Sequence, residues 1–188
     1  MKNVIIIHGC SSVPAEDATT KAQPDLKHWI PWTREVLVAR GIPATTPQMP
    51  ESWAPGYERW KTEFEKQDIN VDTTLIGHSC GCSFLVRWLG DSKRRIDKLI
   101  LVAPWKIGTS SEAKKQFYNY VIDETIKSRV NKIVMFTADN EEEAGKKSLA
   151  IFHDALGGTI IELKGRGHYA GDDAIRTEDF PELLEVVI

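Results

Sequence analysis

Residues 77–81 read Gly-His-Ser-Cys-Gly, a Gly-x-Ser-x-Gly pentapeptide set between the apolar run Thr74–Ile76 and the helically spaced Phe84, Trp88 and Leu89. A serine on a sharp strand-to-helix turn projects its hydroxyl out of a sheet, and flanking glycines remove side chains that would strike neighbouring backbone. The helix that starts at Cys80 turns its free N–H groups and positive dipole end toward the same point, so negative charge developing there is stabilised. The chemistry implied is nucleophilic acyl transfer from Ser79. It requires a base and an orienting acid, in the chain order serine, acid, histidine.

A histidine stands where that order demands one. The last apolar run, Thr159–Leu163, leads into Lys164-Gly165-Arg166-Gly167-His168-Tyr169, a glycine-rich loop that presents His168 at the carboxyl edge of a sheet. An imidazole with an ordinary pKa of about 6.5 accepts the serine proton and returns it to a leaving group near neutral pH. His28 and His153 lie in helical surroundings, and His78 belongs to the turn itself, where it packs or hydrogen-bonds behind the serine. For the acid, the run Ile133–Phe136 opens into Thr137-Ala138-Asp139-Asn140-Glu141-Glu142-Glu143. Asp139, a short carboxylate just past the strand, is the usual kind of orienter for a histidine. Glu141 is its rival, although Glu141 to Glu143 also suit the acidic first turn of a helix.

Two backbone donors should face the oxyanion. One is the N–H of Cys80, the residue after the nucleophile, and the second belongs to the loop after the first strand. That loop reads His8-Gly9-Cys10-Ser11-Ser12, which assigns the second donor to Cys10, with Gly9 letting the chain turn beneath a substrate. The cysteine side chains are expected to be small buried apolar groups.

The elements that must hold these residues follow from two alternating periods. Continuous apolar runs of strand length occur at Val4–Ile7, Thr74–Ile76, Leu99–Val102, Ile133–Phe136 and Thr159–Leu163, with a weak strand around Ala44–Thr46. Helical spacing lies between them: Trp32, Val36 and Ala39; Tyr57, Trp60 and Phe64; Phe84, Trp88 and Leu89; Phe117, Tyr120 and Val121; Leu149, Phe152 and Leu156. Runs apolar throughout suit strands covered on both faces, so the fold class predicted is α/β, a doubly wound, mostly parallel sheet flanked by helices. Gly41 and Gly157-Gly158 are placed to end helices. Residues 105–127 fit either a crossover or a cap over the site.

Composition narrows the functional classes. A chain of 188 residues without repeats or linkers predicts one domain over 1–188, and a formal net charge of −3 gives no reason to expect nucleic acid. The initial run in MKNVIIIHG is too short for a signal-peptide core or a membrane span and reads as a buried strand. Three cysteines make a poor disulfide framework, and Cys80 and Cys82 are too close to bridge each other, so a cytoplasmic location is expected. Their single-residue spacing also makes a poor redox pair beside Cys-x-x-Cys.

Ile5-Ile6-Ile7-His8-Gly9, Trp29-Ile30-Pro31-Trp32, Met49-Pro50, Ile76-Gly77-His78-Ser79 and Gly167-His168-Tyr169 together resemble the small serine hydrolases of the YdeN and retinoblastoma-binding-protein type, over nearly the whole chain. The resemblance implies a compact α/β-hydrolase fold, a Ser-His-acid triad and no cofactor. Such proteins carry an aspartate followed by proline a few residues past the strand. An ungapped match from Phe136 to His168 puts Glu141 at the aspartate and Glu142 at the proline, and glutamate is a workable acid. The resemblance therefore favours Glu141, whereas position just past the strand favours Asp139.

The function expected is hydrolysis of a small or medium carboxylic ester, or an amide, through an acyl-enzyme on Ser79, with a small-molecule acyl substrate and no membrane partner. Trp53, Tyr57, Pro104 and Trp105 are candidates to line an acyl pocket. The alternative is a catalytically silent interaction module on the same fold. No Leu-x-Cys-x-Glu element supports a retinoblastoma-type contact.

Overall fold

The computed structural model describes residues 1–11, 28–108, 111–170 and 178–188. Six strands form one sheet: β1 (Asn3–Ile7), β2 (Ala44–Thr45), β3 (Thr73–His78), β4 (Ile96–Val102), β5 (Val130–Ala138) and β6 (Thr159–Leu163). Their order is β2-β1-β3-β4-β5-β6, and every pairing is parallel. From β1 the chain moves outward to β2, then returns to the far side of β1 and continues through β3 to β6. The order therefore reverses between β1 and β3, whose register aligns Ile7 with Gly77. Loops leaving the carboxyl ends of those two strands diverge there and open the crevice in which α/β sheets bind ligands.

Helices α1 (Trp29–Ala39), α2 (Tyr57–Phe64), α3 (Cys80–Ser92), α4 (Glu112–Tyr118), α5 (Glu143–Leu156) and α6 (Pro181–Val187) are described, with a 3-10 turn at Glu124–Ser128. Alternate strand residues face opposite layers. Ile5, Ile7, Leu75, Leu99, Leu101 and Met135 pack with Trp60, Phe64, Phe84, Trp88 and Phe152 from α2, α3 and α5. Val4, Ile6, Ile76, Ile100, Val134 and Phe136 pack with Trp29 and Leu37 of α1 and Leu183 and Val187 of α6. Both sheet faces are thus covered.

Several sequence expectations shift. The buried stripe of α1 is Trp29, Ile30, Thr33 and Leu37, whereas Trp32 and Val36 lie at its margin and Ala39 is exposed. The predicted stripe was rotated because Trp29, itself fully buried, lay outside it. Helix α4 stops at Tyr118, leaving Val121 exposed, and the freed carbonyls of Tyr118 and Tyr120 accept from the Lys106 ammonium. Phe117 from α4 packs on Trp60 at 5.1 Å. Residues 109 and 110, within the stretch weighed as a cap, lie outside the described residues. Strand β6 is an edge and mostly exposed, so an apolar run alone did not guarantee two-sided cover. Among the described residues no helix is long and apolar enough to cross a membrane.

Candidate active site

Ser79 occupies the turn between β3 and α3 at φ 52° and ψ −119°. A non-glycine residue in this sparsely populated region costs about 1–3 kcal/mol and must be held there by its surroundings. It is held on both sides: the Ser79 N–H donates to the Val102 carbonyl at 2.9 Å, while its carbonyl accepts from Cys82 N–H at 3.0 Å and Trp105 N–H at 3.3 Å. The two glycines of the pentapeptide are sterically required. A Cβ on Gly77 would stand 2.8 Å from Cys82 backbone, and one on Gly81 would stand 2.6 Å from the Ile7 carbonyl oxygen.

His168 comes from the loop after β6. Its Nε2 lies 2.8 Å from Ser79 Oγ and its Nδ1 lies 2.9 Å from Glu141 Oε2. Because a carboxylate only accepts, Nδ1 carries the proton and donates to Glu141, leaving Nε2 to accept from the serine hydroxyl. The Glu141 side chain is 2% exposed, and its second oxygen accepts the Glu142 N–H at 2.9 Å. Gly145 makes room for it, since a Cβ there would meet the Glu141 carboxyl carbon at 2.7 Å.

Asp139 is placed differently. Its Oδ1 accepts the Gly165 N–H at 2.8 Å, and the neighbouring Asn140 Oδ1 accepts the Gly167 N–H at 2.8 Å. These two side chains tie down the loop that carries His168 rather than touching the imidazole. The Gly165 N–H holds the Asp139 carboxyl below the usual range. From beyond His168, Tyr169 donates its hydroxyl to the Thr137 carbonyl at 2.8 Å and its carbonyl accepts from Trp29 Nε1 at 3.0 Å. The Trp105 ring stands edge-on to the imidazole with centroids 5.2 Å apart.

His78 sits behind the serine, as its position in the turn suggested. Its Nε2–H donates to the His168 carbonyl at 2.9 Å. Burial, then the neighbouring His168, lowers its pKa to about 3, so the ring is neutral near pH 7. His8 is likewise pushed down by burial; its Nδ1–H donates to the Gly9 carbonyl at 2.7 Å and its Nε2 accepts the Met49 N–H at 2.9 Å.

The loop after β1 lies directly against Ser79: a Cβ on Gly9 would come within 3.2 Å of Ser79 Cβ. Cys80 is the first residue of α3, where backbone N–H groups have no intrahelical acceptor. Gly9 and Cys10 line a cavity of about 420 Å³ with Ile6, Ile30, Gln48 and His78. Of the residues considered for an acyl pocket, Trp105 borders the imidazole, whereas Tyr57 lines a second cavity with Arg59, Arg87 and Phe117.

The cysteines require a correction. Cys10 and Cys80 form a disulfide across 70 residues of sequence, with Cα atoms 5.8 Å apart, instead of lying as separate apolar groups. Counting nearest neighbours in sequence missed it, because the partner of Cys80 comes from the adjacent parallel strand's loop rather than from Cys82. Cys82 is the buried free thiol, donating to the Gly77 carbonyl at 3.1 Å, and burial raises its pKa. Sequence spacing also gave no sign of the Gly145 vacancy or of the Asp139–Asn140 tie to the histidine loop.

Comparison with known proteins agrees with this architecture. The serine hydrolase family profile matches residues 20–184. The chain is 25% identical over 181 residues to YdeN of Bacillus subtilis (strain 168), a protein named as a hydrolase, covering 92% of this chain and 88% of that one. The crystal structure of the B. subtilis ydeN gene product superposes with a TM-score of 0.81 at 21% identity, covering 100% of this chain and 97% of the other. Est1E from Butyrivibrio proteoclasticus, in its ferulic acid-bound structure, gives 0.66 at 14% identity, covering 100% and 86%. With a parallel sheet that turns a serine out at its switch point and a profile match across most of its length, the chain belongs to the serine hydrolase family and has the α/β-hydrolase fold.

Proposed function

We propose that this protein hydrolyses small or medium carboxylic esters through an acyl-enzyme on Ser79. The observation that carries the reading is the continuous hydrogen-bonded chain from Ser79 Oγ through His168 to the buried carboxylate of Glu141. In the first step His168 Nε2 takes the hydroxyl proton as Ser79 Oγ attacks the ester carbonyl. Negative charge on the carbonyl oxygen is met by the N–H groups of Cys80 and Cys10, each such donor contributing about 3 kcal/mol at the barrier. Glu141 holds the imidazolium and its tautomer. The imidazolium then gives its proton to the departing alcohol. Water, deprotonated by the same nitrogen, attacks the acyl carbon, and the imidazolium returns its proton to Ser79 Oγ as the acyl–Oγ bond breaks and the acid leaves.

The cavity of about 420 Å³ beside Gly9 and Cys10 suits a small or medium group on one side of the scissile bond. Its mixed lining, Ile6 and Ile30 against Gln48 and His78, accommodates an acyl or alkoxy group with some polar character.

Labelling with a fluorophosphonate probe tests the proposal. The folded wild-type protein should be labelled and Ser79→Ala should not, with turnover of short p-nitrophenyl esters lost in parallel. A folded protein that resists the probe and hydrolyses no member of a broad ester panel would instead favour the silent interaction module.

A further inference from the structure

The Cys10–Cys80 bridge joins the two residues to which the catalytic reading gives the oxyanion donors. Cys80 follows the nucleophile and starts α3, so its backbone is fixed by the helix and by the strained turn. Cys10 lies past the end of β1 at Ile7, in a loop held through its neighbours' side chains, with His8 accepting the Met49 N–H at 2.9 Å and the Ser11 hydroxyl meeting that of Ser52 at 2.8 Å. The loop keeps Gly9 against Ser79, where a Cβ would already be crowded at 3.2 Å, and the acyl-enzyme chemistry requires it to hold the Cys10 N–H toward the oxyanion. The covalent link ties the donor residue of the loop directly to the donor residue on the helix.

We propose that the Cys10–Cys80 disulfide is a positioning device for the oxyanion site, so that hydrolysis is fast in the oxidised protein and slow once the bridge is reduced. This rests on the acyl-enzyme reading. Cys80 is wholly buried, whereas Cys10 is half-buried and lines the cavity it shares with Gly9 and Gln48, giving a small reductant its approach. A dithiol attacks as thiolate at Cys10 sulfur, breaking the S–S bond and releasing the Cys80 thiolate. Its second thiol closes onto the first, freeing Cys10. The two cysteines gain two electrons and two protons, and the dithiol becomes a cyclic disulfide having lost both. Oxidised glutathione reverses the change and leaves as two reduced molecules. Cys82, buried with its thiol pKa raised, is no competing nucleophile.

The test compares oxidised protein, protein reduced with dithiothreitol and the double variant Cys10→Ala/Cys80→Ala, which keeps both backbone N–H groups. Thiol counting under denaturing conditions should give one free cysteine in the oxidised form and three in the reduced form. On a short p-nitrophenyl ester, kcat should fall about tenfold or more on reduction, short of the 10²–10³-fold typical of deleting a donor outright. KM should change much less, and oxidised glutathione should restore the rate. The double variant should match the reduced wild type and ignore dithiothreitol. Assays run well below every unfolding midpoint separate this from a bridge that only stabilises the fold, which would move the midpoint and leave kcat alone. Equal kcat and equal fluorophosphonate labelling in the two thiol-counted states would overturn the positioning role while leaving the hydrolase intact. No labelling in either state would remove the acyl-enzyme reading and this proposal with it. Failure to form the bridge under oxidised glutathione would overturn the proposal alone.

Discussion

Glu141 lies just ahead of α5 and Gly145 in its first turn, and a Cβ on Gly145 would lie 2.7 Å from the Glu141 carboxyl carbon and 2.9 Å from its Oε1. The glycine is therefore the space into which the carboxylate folds to reach His168. Gly145→Ala should push that carboxylate off the imidazole. Misplacement on the scale of 1 Å costs about 10²-fold in rate, so kcat for ester hydrolysis should fall by that order. Stability should barely move, because alanine's helix preference of about 1 kcal/mol offsets the displacement of a flexible side chain. Thermal melting together with steady-state kinetics separates the two effects, and an unchanged kcat would show that the carboxylate has another way to sit.

Glu141→Gln removes the charge and keeps the shape. A carboxamide that turns its NH2 toward Nδ1 selects the tautomer in which Nε2 already holds a proton and cannot take the serine's. We expect kcat/KM to drop about 10³- to 10⁴-fold, the scale found when a triad acid is replaced by its amide, with the melting midpoint nearly unchanged. A rate within threefold of wild type would mean that Glu141 does not serve the imidazole.

Asp139→Ala should act more gently and by another route. The Asp139 carboxylate accepts the Gly165 N–H, so its loss loosens the loop that delivers His168. Because that loop positions the imidazole, the rate should fall several-fold, well short of the loss in Glu141→Gln. Asp139→Asn keeps an acceptor oxygen and should recover most of that rate, a rescue that Glu141→Gln cannot show. Equal, severe losses in Asp139→Ala and Asp139→Asn would indicate that the charge itself matters.

The contrast between these two acids shows what sequence carried and what it did not. The strand-turn-helix context made Ser79 legible, because the turn itself demands glycine: a Cβ on Gly77 would strike the Cys82 backbone five residues on, and one on Gly81 the Ile7 carbonyl of the adjacent strand. His168 was legible from chain order and its glycine-rich loop. The choice of acid depends on how far two loops lean toward each other, and two residues of difference along the chain decide whether a carboxylate meets an imidazole or a backbone N–H. Pattern at the strand edge favoured Asp139, resemblance favoured Glu141, and the distances put Glu141 on the ring. The Cys10–Cys80 pairing was invisible for a related reason, since it depends on β1 and β3 being neighbours across the switch point. Helix α6 was missed because Pro181–Val187 is only seven residues long and offers less than two turns of periodicity.

Acidification should destabilise the fold through His78. Buried against Trp29 and hydrogen-bonded to the His168 carbonyl, the ring refuses a proton until about pH 3, whereas in the unfolded chain it takes one near the ordinary 6.5. Between those values the unfolded state binds one more proton than the native state, so unfolding is favoured as pH falls. The stability tied to neutral His78 is thus fully present above about pH 6.5 and is lost toward pH 3 at about 1.4 kcal/mol per pH unit. His8, also lowered by burial, adds loss of the same sign, so the measurement must be a difference between proteins. Urea unfolding of wild type and of His78→Asn, which retains a donor for the His168 carbonyl, at about pH 7 and about pH 5 should show a shallower pH slope in the variant. Identical slopes would mean that His78 is protonated in the folded protein, and a positive ring behind Ser79 would then have to enter the electrostatics of the site.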